Sequence, residues 1–221
     1  MSALIWLSSD DPCDAFPSVD LALNEPDGLL AAGGDLSSAR LLAAYRRGIF
    51  PWYSEGQPIL WWSPNPRTVL FPIEFKTSRS LEKTVRNKGF EYSVDQDFAG
   101  VIRSCADPTL RPSGTWITSP MQAAYLELHR LGVAHSIEVR LNNELVGGLY
   151  GVKLGKVFYG ESMFSRVRDA SKVALRALCQ GLLGTSLELI DCQMATPHLM
   201  SLGARSIPRS EFIHLLSRYL D

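Results

Sequence analysis

The sequence predicts an α+β fold in two parts: a small N-terminal domain over residues 1–66 and a larger mixed-sheet domain over residues 67–221. Three observations carry this expectation. Strand-like segments follow one another through the middle of the chain and then give way to helix, strand and helix, the order of a mixed sheet. The first part of the chain is instead rich in turns and aromatic rings. Between the two parts lies Ser63-Pro-Asn-Pro66, where two prolines deny both continuous helix and central strand.

Taken in order, Glu25-Pro-Asp-Gly28 and Gly33-Gly-Asp-Leu36 are turns. Asp35 or Ser37 caps a short helix through Arg47, with Leu41, Leu42, Ala44 and Tyr45 as its apolar stripe and Gly48 as its stop. In the second part a helix runs from about Ser78 to Asn87. Another starts with Ser119 as cap and Pro120 in the first turn, and ends at Gly132. From His135 to Leu141, Ile137, Val139 and Leu141 alternate with Ser136, Glu138 and Arg140, the pattern of a half-buried strand. Asn142-Asn143 turns this strand into Leu145–Val152, and Leu154-Gly155 turns that into Val157–Gly160. A helix over about Asp169–Gly181 precedes a buried strand over Leu187–Met194, and helices at 196–202 and 209–219 close the chain.

Composition narrows the function classes. The chain has 221 residues, 46% of them hydrophobic, with 17 Gly and 13 Pro, which excludes a disordered or fibrous chain. Charge nearly cancels at −1, so a nucleic-acid surface has to be a local patch. No apolar stretch is long enough for a membrane helix, and Met1-Ser-Ala-Leu-Ile-Trp lacks the basic leader of a signal peptide, as expected of a cytoplasmic protein. Cys13, Cys105, Cys179 and Cys192 have no metal-site spacing and read as reduced, mostly buried thiols. The four histidines show no ligand spacing, so no metal is expected.

Chemistry concentrates at a few places. On the strand Leu187–Met194, Asp191 and Gln193 are two apart and so face one way. Polar groups in such an apolar strand need partners, unless they sit solvated at a strand end. Glu161 lies among bulky apolar neighbours, either as a working carboxylate or in an ion pair with Arg166 or Arg168. Three of the five tryptophans fall within Trp52–Trp62, as rings for a nucleobase or as a small core. Arg79, Lys83 and Arg86 share one helical face, as a phosphate-binding surface or a solvated one.

Seven segments together carry a family resemblance: Phe50-Pro-Trp-Tyr-Ser, Ile59-Leu-Trp-Trp-Ser-Pro, Gly114-Thr-Trp-Ile-Thr, His135-Ser-Ile-Glu-Val, Leu145-Val-Gly-Gly-Leu-Tyr-Gly, Gly160-Glu-Ser-Met-Phe-Ser-Arg and Leu189-Ile-Asp-Cys-Gln. In this order and spacing, from about Glu25 to Pro208, the chain resembles the leucyl/phenylalanyl-tRNA–protein transferases. The resemblance implies a larger domain like the N-acetyltransferases. It also implies transfer of Leu or Phe, and possibly Met, from aminoacyl-tRNA to proteins beginning with Arg or Lys, which marks them for N-degron proteolysis. A monomer without cofactor or metal is expected to do this. By the same resemblance Asp191, Gln193 and Glu161 are catalytic, and Trp52 and Trp116 flank the terminal adenosine and pocket mouth. Leu149, Phe158, Met163, Leu175, Leu178 and Ile190 would hold the aminoacyl side chain, and Arg79, Lys83 and Arg86 would meet the tRNA. One rival reading is an acyl-CoA-dependent enzyme, but Glu161–Ser171 contains none of the glycines that cradle a pyrophosphate; the other is a non-catalytic tRNA- or peptide-binding module, which would tolerate loss of Asp191 and Gln193.

Overall fold

The computed structural model describes residues 4–110, 114–184 and 186–220, and it is α+β with two sheets. The small sheet holds β1 (Ile5–Leu7), β2 (Leu29–Gly33), β3 (Phe50–Pro51) and β4 (Leu60–Trp62) in the order β1-β2-β4-β3. Helix α1 (Ser38–Arg46) joins β2 to β3 and is capped by Ser37, whose hydroxyl accepts from Arg40 N. The large mixed sheet orders its seven strands β11-β5-β10-β9-β8-β7-β6. In chain order these are β5 (Arg67–Leu70), β6 (Glu91–Val94), β7 (Ala134–Leu141), β8 (Glu144–Leu154), β9 (Val157–Ser165), β10 (Leu189–Gln193) and β11 (Arg205–Ile207). The β9–β10 pair is parallel and every other neighbouring pair in this sheet is antiparallel.

Six helices belong to the large unit: α2 (Arg79–Asn87), α3 (Phe98–Ala106), α4 (Ser119–Arg130), α5 (Ala170–Cys179), α6 (Pro197–Ser201) and α7 (Arg209–Tyr219). The cap of α4 is Thr118, one residue before the expected Ser119, because the Thr118 side chain reaches Met121 N. At the β7–β8 turn Asn142 and Asn143 take φ of 51° and 65°, the left-handed pair that a two-residue hairpin needs. Strand β9 outruns its expected end at Gly160 by five residues, to Ser165. Of the four free cysteines only Cys105 is buried; Cys13 is exposed and Cys179 and Cys192 are half-buried, fewer buried thiols than expected.

Helices cover both faces of the large sheet. Phe98, Val101 and Tyr125 from α3 and α4 pack with Tyr150, Val152 and Tyr159 on one face, and this core continues without a break into Leu41, Tyr45 and Trp61 of the small unit. On the other face α5 lays Val173, Ala174, Leu175 and Leu178 against Ile137, Val139, Leu149 and Phe158. Strand β7 is therefore buried on both sides, not half-buried: Ser136 and Glu138 are each 0% exposed. The Glu138 carboxylate accepts from the Ser93 and Ser136 hydroxyls at 2.5 Å each and from the backbone of Gln96 and Asp97 at 3.4 Å, which offsets its loss of water.

Removing that carboxylate strands several buried donors at once. Glu138→Ala is expected to cost about 2–4 kcal/mol of stability, read as a lower urea midpoint with an unchanged slope.

Candidate active site

The site begins where two strands part. Parallel pairing between β9 and β10 stops at Tyr159–Asp191, although β9 continues to Ser165. Each strand carries a bulge at this point. The β8–β9 register jumps from Tyr150–Ser162 to Gly151–Gly160, leaving Glu161 as the extra residue. The β10–β5 register jumps from Asp191–Val69 to Gln193–Thr68, leaving Cys192 extra and Gln193 at a φ of 63°. The gap opens into a cavity of about 390 Å³. Trp116, Leu149, Phe158, Met163, Leu175, Leu178 and Ile190, seven of the eight residues expected to bind substrate, line it. Trp52 does not: it stands 37% exposed, edge-on to Trp62 with ring centroids 5.5 Å apart.

The bulge also overturns the simple alternation expected of Asp191 and Gln193. Gln193 lines the cavity, whereas Asp191 is fully buried behind it and is not part of its lining. Its carboxylate is held by Arg67, with Nε 2.8 Å from Oδ1 and Nη2 2.6 Å from Oδ2, a two-point pairing. Arg67 donates its remaining guanidinium arm to Gly48 O at 3.0 Å and lies over the rings of Phe50 and Phe212. Asp191 Oδ1 also accepts from Gln193 N at 3.0 Å, so the buried pair holds the bulged backbone in place. With Arg67 as its counter-charge, Asp191 is not available to an incoming cation.

Glu161 pairs with neither Arg166 nor Arg168, which bond Asp107 at 3.1 Å and Asp169 at 3.7 Å instead. Its Oε1 meets the Tyr45 hydroxyl at 2.8 Å and Gln193 Nε2 at 3.0 Å, and its Oε2 meets the Tyr125 hydroxyl at 2.7 Å. The two tyrosine hydroxyls are themselves 2.5 Å apart. Both tyrosines donate to the carboxylate, Tyr45 to Oε1 and Tyr125 to Oε2. Burial, opposed by the tyrosine hydrogen bonds and reinforced by the charge of Asp191, pushes the Glu161 carboxyl up to about 7. Burial and the Glu161 charge hold both tyrosines well above their ordinary range, so they keep their protons.

Gln193 gives its amide nitrogen to Glu161, which leaves Oε1 as the end that can accept from a bound molecule. His198, Thr196 and Cys192 complete the polar rim. Burial and the Lys172 cation hold His198 below the usual histidine range. Arg79, Lys83 and Arg86 are exposed on α2 and form no ion pair among the described residues. The sequence reading missed Arg67, Tyr45, Tyr125 and His198. Arg67 left a usable signal, a permanent cation opening the apolar run Thr68-Val-Leu70, which demands a buried anion.

Residues 69–217 match the family model described as leucyl/phenylalanyl-tRNA protein transferase, and residues 34–65 match the model of that family's N-terminal domain. The transferase of Stutzerimonas stutzeri is 58% identical over 218 residues, covering 99% of this chain and 96% of the relative. The chain belongs to the leucyl/phenylalanyl-tRNA–protein transferase family. The transferase of Pseudomonas aeruginosa has the same identity and coverage. Among solved structures, the L-PGS of Bacillus licheniformis overlays with a TM-score of 0.43 at 10% identity, covering 72% of this chain and 52% of that chain. As a member of this family the chain is an aminoacyltransferase that uses aminoacyl-tRNA donors and acceptor proteins. No helix among the described residues is long and apolar enough to cross a membrane, and none of their His, Cys, Asp and Glu side chains group to hold a metal ion.

The raised Glu161 value fixes a stability signature. Because the folded value of about 7 lies above the ordinary 4.5, the contribution of this group is full below pH 4.5 and is lost as pH rises to 7. The loss is about 3 kcal/mol. In urea denaturation at pH 5 and pH 7.5, Glu161→Gln is expected to lose less stability than the wild type across this interval.

Proposed function

We propose that this transferase moves Leu, Phe or Met from aminoacyl-tRNA to the α-amine of proteins beginning with Arg or Lys, marking them for N-degron proteolysis. The same reading divides the chain into units 1–66 and 67–221 and has it act as a monomer. The observation that carries the site assignment is the apolar cavity with the Glu161–Gln193 pair at its polar end. An aliphatic or aromatic aminoacyl side chain fits such walls, whereas a charged one would lose its hydration without a partner.

The donor is an ester and the product an amide, so transfer runs downhill without a further energy source. The amine nitrogen bonds to the carbonyl carbon as the ester carbon–oxygen bond breaks. The proton lost by nitrogen ends on the departing ribose oxygen. In this reading Gln193 Oε1 accepts from the α-amine and holds it near the carbonyl, which is the main barrier to overcome. Glu161 orients the Gln193 amide and buffers the proton through the tyrosine pair. Asp191 acts through the backbone of Gln193 as a positioning residue. Of the two carboxylates, Glu161 is the one that lines the cavity, which favours it over Asp191, held by Arg67, as the partner of a cationic first side chain. Trp116 supports a stacking role at the cavity mouth, and Trp52, outside the cavity, is assigned to the nucleotide beyond it.

The unpaired cations of α2 support a phosphate-contacting face for the tRNA. The salt dependence of aminoacyl-tRNA binding tests this: changing Arg79, Lys83 and Arg86 together to Ala is expected to reduce the log–log slope by about 2–3. An unchanged slope would make the face ordinary surface.

The reaction centre is tested by Leu transfer to an Arg-starting peptide. Gln193→Ala is expected to lower kcat by about 100-fold with little change in aminoacyl-tRNA affinity. An equal loss of affinity would make Gln193 a donor-binding residue. Asp191→Asn is expected to lose activity together with about 3–5 kcal/mol of stability, because it leaves Arg67 buried without its counter-charge.

A further inference from the structure

A second concavity, of about 490 Å³, lies between the loop after β3 and the start of α4. Leu36, Tyr53, Pro58, Ile59 and Pro120 give it apolar walls. Its only charged lining residue is Glu55, which is exposed and forms no ion pair among the described residues. The groove lies beside the reaction centre. Trp116 lines the cavity and Thr118 lines the groove, and a single tight turn, Thr118 N to Trp116 O at 2.9 Å, separates them. The Tyr53 hydroxyl lies 3.4 Å from Thr118 Oγ1, which ties the loop of the small unit to this turn.

We infer that this groove is a subsite for the acceptor polypeptide beyond its first residues, with Glu55 attracting a cationic side chain. Charge decides between the two macromolecular substrates. A lone carboxylate with no lining Lys or Arg repels a phosphate backbone and suits a polypeptide, whereas α2 carries three exposed cations, Arg79, Lys83 and Arg86, on one face. Distance decides which acceptor residues reach it. Thr118 precedes Tyr125, the α4 residue bonded to Glu161, by two turns on the same buried face, roughly 10 Å along the helix. An extended peptide covers this in about three residues, so the groove receives residues three to five. This inference rests on the reading of Glu161 and Gln193 as the place where the α-amine reacts.

The test compares three acceptors beginning with Arg: an Arg-Ala amide too short for the groove, and two hexapeptides with Lys or Glu at position four. Glu55→Lys is expected to raise KM for the Lys hexapeptide roughly three- to tenfold and lower it for the Glu hexapeptide, with the dipeptide unchanged. Ile59→Ala, which removes apolar wall, is expected to raise KM for both hexapeptides and not for the dipeptide. Equal shifts for all three acceptors, or no shift for any, would overturn the subsite. So would a shift in the KM of Leu-tRNA measured with the dipeptide, which would assign the groove to nucleic acid. Gln193→Ala on the dipeptide reports the reaction centre alone. Undiminished kcat there would overturn the reaction-centre reading, and the hexapeptide-to-dipeptide ratio judges the groove separately.

Discussion

The buried Arg67–Asp191 pair is the constraint on which the rest of the centre depends. Two charges without water cost several kcal/mol each, and here the cost is offset by two-point geometry, by Gly48 O and by two aromatic faces. The pair crosses from β5 to β10 at the step where their register shifts. Asp191 has one further bond to make, to the backbone of Gln193, and that bond keeps a non-glycine residue in a left-handed conformation. The amide of Gln193 is thus aimed by a fixed charge one layer deeper in the protein.

Two bulges, one on each of the parting strands, do what a regular sheet cannot. A regular parallel pair would fill the space between β9 and β10 with backbone hydrogen bonds. Here the unpaired stretch becomes a cavity, and the extra residue on β9 is the carboxylate Glu161. Its surroundings set its state: burial favours the neutral form, while two tyrosines and an amide donate to the charged one. A carboxyl that changes state near neutral pH suits chemistry in which an amine must arrive uncharged.

Much of this was legible in the sequence where local rules apply. The Asn142-Asn143 turn, Ser37 as one of two cap candidates, the helix start near Ser78 and the strand and helix order follow from turn chemistry and periodicity. The cavity walls Leu149, Phe158, Leu175, Leu178 and Ile190 were reached by family resemblance, because periodicity alone marks them only as core. Strand alternation failed at Asp191 and Gln193 because a bulge inserts one residue and breaks the period of two. Ser136 and Glu138 read as solvent-facing because alternation cannot see the helices α3 and α4 that cover them. Tyr45 read as part of a helix stripe, and its partner Glu161 lies 116 residues away, so no local pattern links them.

The tyrosine pair also binds the two halves of the molecule into one working part. Tyr45 comes from α1, which joins strands of the small sheet, and Tyr125 comes from α4 of the large unit. Glu161 has both as partners only when the halves are docked. A chimera that exchanged the N-terminal unit between relatives would therefore inherit or lose its proton inventory at the seam, independently of how well the aminoacyl cavity itself was preserved.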